Sequence, residues 1–188
     1  MPYVPPPELA SLSLAEIAEM VEAQKLPPVE QWDPQETGDS EMHIASDGSW
    51  FHQGDPIRRQ SMVRAFSTIL RRENDGSFAL VTPYQKLGIK VDDAPFVAVE
   101  MESEGSGKNR KLAFRLNTDH LVVADGDHPL RFPESEIRPQ PYLTVRTGLE
   151  AVLARAVYYE LAECALADDL EPFGLWSNGS FFPIERPA

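Results

Sequence analysis

The sequence predicts an α+β protein made of two related units of antiparallel sheet, each packed against one helix. One pattern occurs twice, over 47–83 and over 119–183: a turn, a short strand, a Gly-Asp turn followed by proline, an amphipathic run and a Gly-Ser-Phe strand. Asp47-Gly48 and Asn178-Gly179 each separate two apolar runs, and such dipeptides favour tight β-hairpins. Two copies indicate a duplication rather than a solenoid, which needs at least three repeats.

The length of 188 residues suits one medium domain or two small ones. We predict a helix and linker over 1–40, a first α+β unit over 41–105 and a second over 106–188. The Gly105-Ser106-Gly107 stretch marks the boundary between the units, because it interrupts the apolar alternation. A duplication creates a groove between its two units, and ligands tend to bind in such grooves.

The charge balance narrows the range of partners. The chain carries 17 basic and 30 acidic residues, a net charge of −13. Such a chain repels nucleic-acid polymers and anionic membrane surfaces, although a local arginine cluster could still hold a small anion. The amino terminus shows no signal-peptide pattern, and Cys164 is the single cysteine, so no internal disulfide can form. We therefore expect a cytoplasmic protein.

The first predicted helix begins at Ser13 and ends before Pro27-Pro28. Ser13 and Glu16 have the spacing of a capping box. The apolar residues that follow recur at helical spacing, so one face is apolar. We expect the helix to cover the first unit, with a partner-binding arm as the alternative. The residues over 28–41 are interpreted as linker. The apolar face comprises Leu14, Ile17, Ala18 and Val21.

The first unit begins with a hairpin over 42–53. Asp55 as cap and Pro56 as first helical residue then predict a helix, which Asn74-Asp75-Gly76 ends. Arg71 and Arg72 would lie at its carboxyl end, where the helix dipole favours cations. Strands are predicted over 78–81, 88–91 and 97–101, the last from alternating apolar residues.

The second unit begins with strands over 112–116 and 121–124. An irregular, proline-punctuated connection follows over 132–146. Thr147 and Glu150 have capping-box spacing and predict the start of a long helix, whose apolar face would extend from Leu149 to Cys164. A final hairpin is predicted around Asn178-Gly179.

Four segments of the chain are distinctive when taken together: FALVTP at 78–83, IKVDDAPF at 89–96, HPLR at 128–131 and LEAVLARAVYY at 149–159. Together they resemble a proteobacterial family of unknown function. The resemblance implies a duplicated core, a carboxy-terminal unit similar to a pleckstrin-homology fold, a site for a nucleotide-like ligand between the units, and a role in signalling. No catalytic residues follow from it. Gln85 departs from an acidic residue expected beside the Thr-Pro pair, which weakens any site built there. The resemblance covers roughly 12–185.

Arginines near predicted helix starts are the strongest candidate ligand-binding residues. Arg58 and Arg59 would lie in the first turn of one helix, and Arg146 would precede the cap of the other. An anion at a helix amino terminus would make this geometry favourable. The alternative is that these arginines pair with some of the many acidic side chains.

Four further residues complete the candidate site. Arg131 could fork onto a phosphate or carboxylate, with a hydrogen bond from His128. The alternative for this stretch is a strand end with a structural arginine. Tyr159 or Trp50 could stack on an apolar or aromatic portion of the ligand, although most helical tyrosines only pack.

Metal and cofactor chemistry find no support in the sequence. His43, His52 and the Asp125–His128 stretch lack the spacing of zinc or calcium motifs. Cys164 has the surroundings of a core residue, and no glycine-rich phosphate loop is present. The sequence thus favours a non-catalytic protein that binds a small anionic, nucleotide-like ligand between two units. The alternatives are a protein–protein adaptor without a small ligand, using sheet edges or the first helix, and an undescribed enzyme.

Overall fold

A computed structural model describes residues 8–134 and 139–185, so the proline-rich start over 1–7 lies outside the described residues. The chain forms two six-stranded sheets, a two-stranded hairpin and three α-helices among these residues. The helices are α1 (Leu14–Ala23), α2 (Gln60–Ser67) and α3 (Arg155–Asp168). The strands are β1 (Glu36–Ile44), β2 (Trp50–His52), β3 (Asp55–Pro56), β4 (Leu70–Arg72), β5 (Phe78–Val81), β6 (Gln85–Val91), β7 (Phe96–Glu104), β8 (Lys111–Leu116), β9 (Leu121–Val123), β10 (Leu130–Arg131), β11 (Tyr142–Arg146), β12 (Leu149–Leu153), β13 (Gly174–Ser177) and β14 (Ser180–Pro183).

The two six-stranded sheets share one topology, which confirms the predicted α+β class and the duplication. The first sheet has the order β3-β2-β1-β6-β5-β4, and the second has the order β10-β11-β12-β7-β8-β9. In each sheet the first three strands run from the centre to one edge, and the last three run from the other edge back to the centre. The first and sixth strands are therefore neighbours, and they pair in parallel. The other neighbours are antiparallel. With α3 after its last strand, the second unit is compatible with a pleckstrin-homology-like fold.

The repeat that the sequence pattern indicated has a different register in the structure. Helix α2 follows the third strand of its sheet, whereas α3 follows the sixth strand of the other. The two helices are therefore not equivalent, and the alignment of 47–83 with 119–183 was wrong. The equivalent strands lie within 36–91 and 96–153. Because β7 lies in the second sheet, the sheets divide within 92–95 rather than at Gly105.

The predicted helix start at Asp55 is wrong, since a hairpin forms there. Gln53 and Gly54 have φ values of 51° and 84°. Two successive residues with positive φ are typical of a type I′ turn, which returns the chain as a strand. Asp55 consequently pairs with His52, and α2 begins five residues later. Arg71 and Arg72 lie on β4 rather than at a helix end.

The predicted capping box at Thr147 is also wrong. Thr147 and Gly148 form the turn between β11 and β12, and Gly148 has a φ of 71°. After this turn, the residues at alternate positions are buried, which is the pattern of a half-buried strand. Three of the apolar residues assigned to a helical face therefore lie in β12, and α3 begins only at Arg155.

Helix α1 forms as predicted, but it packs on the other unit. The Ser13 hydroxyl accepts a hydrogen bond from the Glu16 backbone, and the Glu16 side chain accepts one from the Ser13 backbone. Leu14 and Ile17 are buried against β8 and β9 of the second sheet, not against the first unit. The preceding linker prediction is partly wrong as well, because β1 begins at Glu36.

The two sheets share one hydrophobic core and are joined by Asn117. One cluster of buried side chains extends from Ile44 in β1 to strands of the second sheet. The Asn117 amide accepts a hydrogen bond from the Val97 backbone and donates one to the Gly48 carbonyl, each at 3.0 Å. The Gln60 side chain of α2 donates to the Asn117 carbonyl at 2.7 Å. These bonds fix the first unit against the second.

Candidate functional site

Two cavities of different character lie near the predicted site residues. The larger, which we name the groove, has a volume of about 740 Å³ and lies where the β1–β2 turn meets the second unit. The smaller, which we name the α1 pocket, has a volume of about 230 Å³ and lies within the second unit beneath α1. The groove is lined by Ser46, Asp47, Asp93, Val97, Pro139, Gln140, Tyr142, Val152, Leu153, Ala154, Arg155, Tyr158 and Tyr159. The α1 pocket is lined by Val21, Gln24, Leu26, Phe96, His120, Leu121, Val122, Val123, Asp125, His128, Val145 and Arg146.

The α1 pocket is closed on one side by α1 and the segment after it. Gln24 holds this cover in place, because its side-chain amide donates to the Leu121 carbonyl at 3.0 Å and accepts from the Leu121 amide at 2.8 Å. The side chain thus pairs with strand β9 as a neighbouring strand would. Val21 and Leu26 contribute apolar wall, and Leu26 remains 41% exposed.

Arg146, at the end of β11, supplies the charge in the α1 pocket. Its guanidinium lies 5.6 Å from the centre of the Phe96 ring, and its Nη2 donates to the Ser67 carbonyl at 2.7 Å. Burial lowers the pKa of Arg146 to about 10, an effect that Glu30 partly offsets, so the side chain stays protonated at neutral pH. Among the described residues, no carboxylate forms an ion pair with Arg146 within 4.0 Å.

Two histidines line the same pocket. His120 is buried, and its Nδ1 lies 2.9 Å from the Thr118 hydroxyl. Burial, and then the nearby charges of Arg64 and Arg146, lower the pKa of His120 to about 4, so this imidazole is neutral at pH 7. His128 is half-buried and its Nδ1 lies 3.0 Å from the Asp125 carboxylate. Arg146 is therefore the fixed positive charge of the α1 pocket.

The groove has the opposite electrostatic character. Asp47 and Asp93 line it, and Arg155 is the one lysine or arginine among its described lining residues. The Tyr142 hydroxyl donates to the Asp93 carboxylate, with oxygen–oxygen distances of 2.9 and 3.1 Å. Tyr159 is 58% exposed there. A groove with these carboxylates does not favour an anion.

The structure brings two predicted site residues, Arg146 and His128, to the α1 pocket, and it places Arg131 elsewhere. Arg131 donates two hydrogen bonds to Glu150, at 2.9 and 3.0 Å, and lies over the Tyr142 ring. Arg131 pairs with Tyr142, four residues before Arg146 on β11. Arg131 is absent from the lining of the α1 pocket and is paired with Glu150, so the structure does not bring the two arginines together there.

The other predicted site residues are dispersed. Arg58 and Arg59 are exposed in the connection between β3 and α2, and neither lines the groove or the α1 pocket. Trp50 is only 2% exposed and stacks on Phe66, so it packs the core instead of contacting a ligand. Tyr159 lines the groove beside Tyr158, and its contact with a ligand stays a prediction.

Sequence reasoning missed His120, Phe96 and Leu26 as lining residues. His120 follows a tight turn in which Asp119 has a φ of 66°, and the turn gave no sign that the imidazole is buried. Val21 was recognised as part of an apolar helix face, but not as the wall of a cavity. In the described part of the chain, no group of three or more His, Cys, Asp or Glu residues is arranged to hold a metal ion. None of the described helices is long and apolar enough to cross a membrane.

Comparison with known proteins gives consistent matches over most of the chain. A model described as "Domain of unknown function (DUF1285), N-terminal domain" matches residues 27–94, and one described as "Protein of unknown function (DUF1285), C-terminal domain" matches residues 95–184. A search of curated proteins found no match.

Two solved structures are similar to this one. A DUF1285 family protein from Silicibacter pomeroyi DSS-3 is 45% identical, with a TM-score of 0.77 over 92% of this chain and 94% of that one. A DUF1285 family protein from Shewanella baltica OS155 is 24% identical, with a TM-score of 0.53 over 68% of this chain and 94% of that one. The second likeness supports the fold alone.

Proposed function

The chain belongs to the DUF1285 family, and from the geometry of the α1 pocket we propose that it is a non-catalytic protein that binds a small anionic ligand there. The observation that carries this proposal is Arg146, a partly buried guanidinium that lines a cavity and has no carboxylate partner among the described residues. Buried charges are normally paired, because removing a charge from water without a partner is costly.

A bound anion would supply the missing partner. Arginine has five N–H donors, and among the described residues the Ser67 carbonyl is the acceptor found for Arg146. Hydrogen bonds between a guanidinium and an anion are roughly twice as strong as those between neutral groups. His128, at the edge of the same pocket, could add a further donor. A nucleotide-like ligand and a role in signalling remain predictions from the family resemblance.

The test is calorimetric titration and thermal shift with a panel of small anions: acetate, octanoate, inorganic phosphate and AMP. We expect at least one to bind the parent protein, and Arg146→Gln to weaken its binding at least tenfold, since about 1.4 kcal/mol is one decade. Arg131→Gln is the matched control, because Arg131 is exposed and already paired with Glu150. It should change affinity less than threefold.

Arg146 also bonds to Ser67, so Arg146→Gln could unfold the protein. Arg146→Lys is therefore measured beside it, since it keeps the charge but loses the planar fork. If Arg146→Gln folds and binds the anion as well as the parent, or if no anion in the panel binds, the proposed function is wrong.

A further inference from the structure

We propose that the α1 pocket takes a monocarboxylate with a short apolar body, its carboxylate on Arg146 and its body along the apolar wall toward Leu26. This inference rests on the proposed function and specifies its ligand. Charge, donor geometry and size each support it.

The charge of the pocket suits one negative charge. Arg146 is the one lysine or arginine among its described lining residues, and His120 is neutral. The carboxylate of Asp125 lines the same pocket and lies against His128. A dianion, such as a phosphate monoester above its second pKa near 6, would leave one charge uncompensated in an apolar setting.

The donors of Arg146 suit a carboxylate. A guanidinium presents its N–H groups in a planar fork, and this fork matches the two oxygens of a carboxylate. The Phe96 ring lies 5.6 Å from the guanidinium carbon and limits its movement. Since one Nη group is held by the Ser67 carbonyl, the orientation of the fork is set before a ligand binds.

The size and lining of the pocket suit a short apolar body. Its volume of about 230 Å³ is below the roughly 300–1,000 Å³ of pockets for drug-sized ligands. Apolar side chains form most of the wall, and Leu26 has an exposed face beside it. An apolar chain that starts at Arg146 would remain in contact with apolar side chains: Val21, Leu26, Phe96, Leu121, Val122, Val123 and Val145.

The experiment is calorimetric titration of the full chain with butyrate, hexanoate, octanoate and decanoate. Each methylene that enters the pocket should improve affinity roughly fourfold, until the pocket is full and the gain stops. Octanamide has the same body without the charge, and it should bind at least tenfold more weakly than octanoate. Octyl phosphate and AMP test whether the pocket accepts a dianion, and each should bind more weakly than octanoate.

A pair of leucine variants locates the apolar body. Leu26→Ala should reduce the affinity for octanoate at least threefold and leave that for butyrate unchanged. Leu166→Ala is the matched control, because Leu166 is also exposed but lies on α3 away from the pocket. Equal octanoate affinities of the parent and Leu26→Ala would place the body elsewhere and overturn the inference.

The outcomes separate this inference from the proposed function. If AMP or octyl phosphate binds more tightly than octanoate and depends on Arg146, the anion site stands but the monocarboxylate inference is wrong. If octanamide binds as tightly as octanoate, the monocarboxylate inference is wrong, and the proposed function depends on the results for inorganic phosphate and AMP. If none of these compounds and neither acetate nor inorganic phosphate binds, both are wrong.

Discussion

The groove and the α1 pocket differ in how far each removes a charge from water. The groove is about three times larger, and its carboxylates lie in a wide cleft that solvent can fill. The α1 pocket is smaller, and its lining holds a single guanidinium in a wall formed mostly by apolar side chains. Electrostatic interactions strengthen as the local dielectric falls. The comparison therefore teaches that the smaller cavity, rather than the larger, is where a single charge would act most strongly on a ligand.

The same comparison explains why the predicted arginines have different roles. Arg131 lies on β10 beside the first residue of β11, and Arg146 is the last residue of β11. Both were expected to bind an anion. Arg131 is satisfied by Glu150 at the edge of the sheet. Arg146 turns toward Ser67 and Phe96, where no described carboxylate reaches it. The neighbours in space, not the residue type, separate a structural arginine from a candidate ligand-binding one.

The largest expected effect comes from Asn117→Ala, which would loosen the wall of the groove. The Val97 amide and the Gly48 carbonyl would both lose their side-chain partner. Leaving buried backbone groups unsatisfied costs about 1–3 kcal/mol each, so we expect a destabilisation of about 2–6 kcal/mol in urea unfolding. Asn74→Ala, at an exposed turn, is the control and should cost less than about 0.5 kcal/mol.

The same variant tests whether the two cavities are independent. Octanoate affinity of Asn117→Ala should stay within threefold of the parent value under conditions where the variant is folded. A larger loss would show that the α1 pocket depends on the contact between the units.

An intermediate effect is expected from His120 in the α1 pocket. Below pH 6.5 the unfolded chain takes up a proton at His120, but the folded protein does so only near pH 4. The free energy of unfolding should therefore fall as pH drops through this window, by on the order of 2 kcal/mol at pH 4.5. In His120→Gln this part of the fall should be absent, which urea midpoints at pH 7.5 and 4.5 would measure.

His52→Gln, at the exposed end of strand β2, controls for the loss of an imidazole in that experiment. Equal pH dependence in the parent and His120→Gln would mean that His120 is not held neutral by the pocket. That result would remove one reason for assigning the pocket a single positive charge.

The smallest effect is expected from Tyr159→Ala in the groove. Tyr159 is 58% exposed, and its removal should change stability by less than about 0.5 kcal/mol. Octanoate and AMP affinities should change less than threefold. A tenfold loss of affinity for either anion would place the ligand in the groove and reverse the comparison between the two cavities.

Short-range features were predictable wherever a few adjacent residues determine the backbone. The hairpins at Asp47-Gly48 and Asn178-Gly179 and the capping box of α1 all form as expected. The two incorrect helix starts share one cause. Cap-like residues stood near Gln53-Gly54 and near Thr147-Gly148, where residues with positive φ instead close hairpins. At both places the residues that favour a tight turn determined the backbone, although cap-like residues were present.

The candidate site was only partly predictable, because it depends on packing between distant segments. Arg146 and His128 were identified from the sequence, but His120, Phe96 and the α1 wall were not. The α1 cover and strand β9 are joined by Gln24 and Leu121, which are 97 residues apart in the chain. Nothing in the apolar face of α1 specifies which sheet it covers, since any apolar surface can bury it.

The sequence by itself determined the α+β class, the existence of two related units, the predicted hairpins that formed and the first helix. Turn dipeptides, caps and apolar periodicity act over a few residues, so these features are local. Only the tertiary structure decided the register of the duplication, the unit that α1 covers and which arginine lies partly buried in a pocket without a described carboxylate partner. Those outcomes depend on shared burial and on hydrogen bonds between distant segments, and local preference does not encode them.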